Sequence, residues 1–84
     1  MTNFETLANL SAVTSISAPF GRDGRRYVNL ANANRAYKGD SRKIYILDNT
    51  IVCESYKGFM SDGAIASLDA LEAAAIALGM AVTR

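Results

Sequence analysis

The chain has 84 residues, of which half are apolar and a fifth are charged, and its formal net charge is +1. This length predicts one domain over residues 1–84 with a small core, and the composition is typical of a globular rather than a disordered protein. There is no histidine and one cysteine, which excludes an intramolecular disulfide, thiolate metal clusters, histidine-based catalysis and nearly every zinc arrangement. We therefore expect a protein without enzyme activity, metal or cofactor, and catalysis by carboxylates, lysines or tyrosines is the alternative.

The compartment follows from the ends of the chain and its cysteine. Residues 2–5 are polar and acidic, so no signal peptide is expected. Residues 64–82 are apolar enough to suggest a membrane span, but Asp69 and Glu72 in its middle would each cost about 2–3 kcal/mol in a bilayer. A single Cys53 suits a reducing compartment. We expect a cytoplasmic protein with no membrane contact.

The N-terminal half predicts a short helix and a hairpin. Thr2 and Glu5 have capping-box spacing, which favours a short helix over residues 2–10 or, alternatively, a frayed terminus. Residues 14–20 alternate apolar and polar side chains around Pro19, as in a half-buried edge strand with Phe20 on its apolar face. Turn residues 21–24 then lead into a second strand over 25–31, and residues 32–41 are expected to form a loop.

The C-terminal half predicts a second hairpin and a long helix. Residues 43–47 and 51–56 are β-branched runs on either side of a turn that begins at Asp48. The helix is expected to begin at Ser61, a good N-cap, and to end at Gly79, the usual C′ residue. A fifth strand could follow over residues 80–83. The predicted fold is α+β, with a small, mainly antiparallel four-stranded sheet of two hairpins packed by the long C-terminal helix.

The long helix is expected to be covered on more than one side. One apolar stripe should face the sheet, and a small-residue face beside it should be covered by the N-terminal helix or by a second copy of the protein. A solvated acidic edge is expected at Asp62, Asp69 and Glu72. The stripe comprises Leu68, Leu71, Ala75 and Leu78, and the small-residue face comprises Ala66, Ala70, Ala73, Ala74 and Ala77.

Three patterns that could carry chemistry have simpler explanations. Residues 58–63 have the glycine spacing of a phosphate loop, but the lysine that this motif needs is replaced by Ala64. Asp69 and Glu72 are helix neighbours without further metal ligands. No nearby cation is assured for Cys53, so a structural thiol is expected.

Positive charge is concentrated in residues 21–43, which hold seven basic side chains against two acidic ones. Arginine interleaved with tyrosine suits an acidic protein surface and equally suits phosphate contact and base stacking. Simple solvation of turns and loops is the remaining interpretation. The candidate partner-binding residues are Arg22, Arg25, Arg26, Arg35, Tyr37, Lys38, Arg42 and Lys43.

These features favour a non-enzymatic binding protein that inhibits or modulates a partner, and a small nucleic-acid-binding module that uses residues 22–43 is the alternative. No family motif is matched. In being short, single-domain and free of motifs, the chain is similar to phage-encoded inhibitors of host defence such as anti-CRISPR proteins. The basic segment favours a protein or ribonucleoprotein partner with an acidic or phosphate-bearing surface, and nucleic acid is a possible partner.

Overall fold

The computed structural model describes residues 2–31, 44–54 and 62–83. In chain order the elements are α1 (Asn3–Ala8), β1 (Val13–Ile16), β2 (Arg26–Leu30), β3 (Ile44–Leu47), β4 (Thr50–Cys53), α2 (Asp62–Ala77) and β5 (Ala81–Thr83). The strands form one five-stranded sheet in the order β1-β2-β3-β4-β5. Strands β1 to β4 are antiparallel to their neighbours, whereas β5 lies parallel to β4.

The predicted α+β class is confirmed, but the predicted four-stranded sheet of two hairpins is wrong in size, because the fifth strand that could follow the long helix joins the sheet as β5 and makes it partly parallel. Val82 of β5 lies opposite Ile51 of β4 in a parallel pairing. Parallel neighbours need a crossover connection, commonly a helix, and α2 lies between these two strands in the chain. The mixed sheet therefore follows from the position of the helix.

The second hairpin is confirmed, with a tighter turn than expected. Leu47 pairs with Thr50, and the two residues between them, Asp48 and Asn49, have φ values of 49° and 59°. Positive φ at both central positions is the signature of a type I′ turn, whose twist matches that of the strands. Strand β4 ends at Cys53, and the predicted continuation to residue 56 lies outside the described residues, as does position 43.

The first hairpin is also present, but the expectation that Phe20 lies on the apolar face of an edge strand is wrong. Strand β1 ends at Ile16, and beyond it Phe20 makes only an isolated bridge to Arg25. The Ser17 hydroxyl accepts the Tyr27 backbone N–H at 2.8 Å, which replaces the main-chain bond that would continue the ladder. Phe20 is 66% exposed as a result.

The core lies between the sheet and the two helices. One face of the sheet and the predicted stripe of α2 meet there, as expected, and Leu7 of α1 joins them. Each fully buried aliphatic side chain stabilises the fold by about 1.5–3 kcal/mol. The fully buried large side chains are Leu7, Val28, Ile44, Ile51, Leu68 and Leu71.

The small-residue face of α2 is exposed in a single copy, so the expectation that α1 covers it is wrong. Ala70 and Ala73 are exposed, and Ile76 on the same face is 63% exposed. The expected acidic edge is also wrong at one position, because Glu72 is buried at 6% exposure while Asp69 is exposed. Glu72 is next to Leu71 and three residues before Ala75, which places it at the border of the buried stripe.

The ends of both helices follow their local sequence. Thr2 and Glu5 form the predicted capping box at the start of α1. At the end of α2 the Met80 N–H donates to the Ala75 carbonyl at 2.9 Å and Gly79 has a φ of 80°, the Schellman arrangement in which glycine is favoured. The predicted N-cap Ser61 lies outside the described residues, and so do most of residues 58–63 and the predicted loop beyond Ala31.

None of the helices in the described part of the chain is long and apolar enough to cross a membrane.

Candidate functional site

The structure describes three of the eight predicted binding residues, and it places Arg25 and Arg26 on opposite faces of the sheet. Arg22, Arg25 and Arg26 lie at and after the turn of the first hairpin. Consecutive residues of a strand point to opposite faces, so the neighbouring arginines cannot contact one flat surface together. The other five candidates lie outside the described residues: Arg35, Tyr37, Lys38, Arg42 and Lys43.

Arg25 is held on the face of the sheet that is opposite to the helices. Its Nε lies 3.2 Å and 3.1 Å from the two carboxylate oxygens of Asp23, and its Nη2 lies 2.5 Å from Asp23 Oδ2. The guanidinium also lies over the Tyr45 ring, with its carbon 4.2 Å from the ring centroid. The hydrogen bonds from Arg25 hold the pKa of the Asp23 carboxyl below its usual value. Arg25 therefore stabilises the hairpin turn, and Asp23 offsets its positive charge.

Arg26 lies on the helix side of the sheet. Its guanidinium stacks on Phe4 of α1, 4.0 Å from the ring centroid, and its Nη1 donates to the Ser17 carbonyl at 3.4 Å. These contacts join α1 to the first hairpin. Arg22, in contrast, is exposed and makes no hydrogen bond or ion pair with the residues that the structure describes.

An aromatic row runs from the hairpin turn into the sheet. The Phe20 and Tyr27 ring centroids are 6.1 Å apart, and the Tyr27 and Tyr45 centroids are 6.0 Å apart with a nearly edge-to-face geometry. Such pairs contribute about 0.5–1.5 kcal/mol beyond the area they bury. Tyr45 is 5% exposed, so the row has a buried end at Tyr45 and an exposed end at Phe20.

The buried end is fixed by a hydrogen bond. The Tyr45 hydroxyl donates to Glu54 Oε1 at 2.7 Å. This bond to a carboxylate, together with burial, raises the pKa of the Tyr45 phenol above its ordinary value of 10.0. Tyr45 thus lies on a face of the sheet, where its ring contacts both Tyr27 and Arg25.

A pH dependence follows from this pKa. Because the folded pKa is raised, the stabilisation from the neutral Tyr45 phenol is fully present below about pH 10 and is lost as the pH rises from there through the folded pKa. We expect the free energy of unfolding to fall more steeply as the pH rises above about 10 in the parent protein than in Tyr45→Phe. Urea unfolding of both proteins across this range measures the difference, and equal slopes would contradict the assignment.

The exposed end of the row borders a shallow cavity of about 410 Å³. Its walls come from the segment between β1 and the turn, together with one side chain of β2. The lining residues in the described part of the chain are Ser17, Ala18, Pro19, Phe20 and Tyr27.

Sequence reasoning missed this site because it assigned Phe20 to a strand. One signal was available: Phe20 stands between Pro19 and Gly21, and proline and glycine on either side of a residue favour a turn over a strand. An aromatic side chain in a turn has no sheet face to bury it. The residues that the sequence did not indicate, those that line the cavity, thus form an apolar group that adjoins the predicted basic segment in the chain.

The described residues contain no group of three or more aspartate, glutamate or cysteine side chains that could hold a metal ion. Cys53 is 3% exposed and lies in the core, where burial makes a thiol inert.

No protein-family model, no curated protein sequence and no solved structure matches this chain, so the functional argument depends on the geometry of these residues.

Proposed function

We propose that this chain is a non-enzymatic binding protein that inhibits or modulates a partner protein, and that it docks through the tip of its first hairpin. The observation that supports the proposal is the 66% exposure of Phe20 at the end of an aromatic row that is buried at Tyr45. An exposed apolar side chain that already packs against a neighbouring ring loses less conformational freedom when it binds than a free one. Burying it against a partner contributes about 1.5–3 kcal/mol.

The charges at the tip favour an acidic partner surface. Asp23 is paired with Arg25, which leaves the exposed Arg22 as the cation nearest to Phe20 in the chain. An aromatic anchor with an arginine beside it is the usual composition of an interaction hot spot. A protein or ribonucleoprotein with an acidic patch around an apolar pocket would fit this surface, and an inhibitor of host defence encoded by a phage remains the biological setting that we propose, with the cytoplasm as its location.

Nucleic acid is the weaker candidate on the described residues. Binding to phosphates needs several cations on one surface, but Arg25 is engaged by Asp23 and Arg26 stacks on Phe4 at the opposite side of the sheet. The described part of the basic segment therefore offers one exposed cation, Arg22, rather than a continuous track.

A second copy of the chain is proposed as the partner of α2. The exposed face at Ala70 and Ala73 would let two helices approach closely, with Ile76 of each copy filling the space left by the small side chains of the other. This contact would be independent of the hairpin tip.

Affinity capture with two matched variants tests the docking proposal. Immobilised parent protein, Phe20→Ser and Ile76→Ser are exposed to a bacterial lysate after nuclease treatment. Phe20 and Ile76 are the two large hydrophobic side chains recorded as exposed in the described residues, at 66% and 63%. We expect one protein to be retained by the parent and by Ile76→Ser and to be reduced at least about tenfold by Phe20→Ser.

Two results would contradict this proposal. Retention that is equal for Phe20→Ser and the parent would place the binding surface elsewhere. Retention that disappears after nuclease treatment and falls steeply with salt would favour nucleic acid as the partner.

A further inference from the structure

We infer that the cavity beside Phe20 receives one large apolar side chain of an extended partner segment, and that an acidic residue of the same segment lies against Arg22. The inference rests on the proposed function and specifies the chemistry of the partner. The cavity, the hydrogen bonds of the residues that line it and the exposed arginine that follows Phe20 in the chain support it.

Among the described residues that line the cavity, the polar groups of Ser17 and the Phe20 N–H are already hydrogen-bonded, and the side chains are apolar apart from the hydroxyls of Ser17 and Tyr27. The Ser17 hydroxyl donates to the Ala18 carbonyl at 2.9 Å and accepts the Tyr27 N–H at 2.8 Å, while the Ser17 N–H donates to the Tyr27 carbonyl. The Phe20 N–H donates to the Arg25 carbonyl at 2.8 Å, and Pro19 has no N–H. A polar ligand would lose its water without gaining these groups as partners. The occupant is therefore apolar.

The size of the cavity limits the occupant to a side chain or two. An enclosed apolar cavity of about 150 Å³ holds one benzene ring, and the volume here is about 410 Å³ in a shallow, open site. Pockets for whole small ligands begin at about 300 Å³ and bury most of the ligand surface, which a shallow site cannot do. A phenylalanine, tryptophan or leucine side chain that projects from a longer segment fits these dimensions and gains affinity from contacts outside the cavity.

An exposed arginine close to Phe20 in the chain supplies the second element of recognition. Arg22 follows Phe20 by two residues and is exposed, whereas the acidic Asp23 beside it is neutralised by Arg25 at 2.5 Å. Adjacent residues of an extended segment are about 3.3 Å apart, so a carboxylate one or two positions from the inserted side chain can reach the Arg22 guanidinium. Charge complementarity thus favours an acidic neighbour over a basic one.

Short capped peptides provide a direct probe. The ¹⁵N-labelled protein is titrated with acetyl-Gly-Phe-Glu-Gly-amide and with two relatives in which alanine replaces phenylalanine or lysine replaces glutamate. We expect the first peptide to shift the amide signals of Ala18, Phe20 and Tyr27. The alanine peptide should bind at least about tenfold more weakly and the lysine peptide about two- to fivefold more weakly.

Three variants locate the binding. Ala18→Trp fills the cavity and Phe20→Ala removes one wall, and each should abolish the shifts, whereas Thr83→Ala, at an exposed position of β5 on the other edge of the sheet, should leave them unchanged. Ala18 and Phe20 are both exposed, so the melting temperature of Ala18→Trp should stay close to that of the parent, and that of Phe20→Ala should fall only by the loss of the ring contact with Tyr27. Shifts that centre on α2, or equal binding of the phenylalanine and alanine peptides, would overturn the inference.

The docking proposal and the cavity inference predict different results for Phe20→Ser and Ala18→Trp in the capture experiment. A protein that is captured by the parent and by Ala18→Trp but lost with Phe20→Ser would overturn the cavity inference and support docking through Phe20. A captured protein that is unaffected by both variants would overturn both.

Discussion

Replacing Leu71 with alanine is expected to lower the free energy of unfolding by about 2–5 kcal/mol, whereas replacing its neighbour Ala70 with glutamate should change it by less than about 0.5 kcal/mol. Leu71 is fully buried in the core and Ala70 is exposed. The alanine variant loses the transfer free energy of the removed atoms and leaves a cavity that the surrounding side chains fill only in part. Glutamate at position 70 enters water and has good helix propensity.

Urea unfolding at neutral pH measures both changes, and the contrast tests how α2 is oriented on the sheet. A large loss for Ala70→Glu together with a small loss for Leu71→Ala would show that the helix is rotated from the described position. Sedimentation of the same two variants tests the proposed contact between copies. If two chains pair through the small-residue face, Ala70→Glu should lower the apparent mass at high concentration while its unfolding at low concentration stays like that of the parent.

The parts of the fold that the sequence predicted best are those set by local chemistry. Asp48 and Asn49 tolerate positive φ, so the turn of the second hairpin and the strands beside it could be placed. The spacing of Leu68, Leu71 and Ala75 placed the buried side of α2. In each case the information lies within a few residues of the feature.

The parts that were missed depend on contacts between distant residues. The direction of β5 depends on which edge of the sheet it reaches after α2, and its own three residues do not encode this. The burial of Glu72 depends on what packs beside the helix. Neither can be read from a short window of sequence.

The candidate site shows the same limit. A count of charges marked residues 21–43 as one basic surface, but the pleat of β2 sends Arg25 and Arg26 to opposite faces. Arg25 is then engaged by the nearby Asp23, a pairing that a net charge cannot reveal. The exposure of Phe20 depends on the end of strand β1 at Ile16, after which the Ser17 hydroxyl accepts the Tyr27 N–H.

Replacing Tyr45 with alanine should lower both the stability of the protein and its affinity for a partner. Tyr45 is 5% exposed, and loss of a buried aromatic side chain costs about 3–5 kcal/mol. The same change removes the ring beneath Arg25 and the ring beside Tyr27. We therefore expect the Phe20-dependent affinity for a captured partner to fall at least about tenfold, because the row that holds Phe20 in place loses its buried end.

Two matched variants separate this effect from general destabilisation. Tyr45→Phe keeps the ring and removes only the hydroxyl that donates to Glu54, so it should cost about 0.5–1.5 kcal/mol of stability and leave the affinity nearly unchanged. Leu71→Ala should lose about as much stability as Tyr45→Ala, but it lies in the core beneath the sheet and does not contact the row. Binding is measured by calorimetry at a temperature at which all four proteins are folded. If Leu71→Ala weakens binding as much as Tyr45→Ala, the affinity follows overall stability and the aromatic row has no specific part in positioning Phe20.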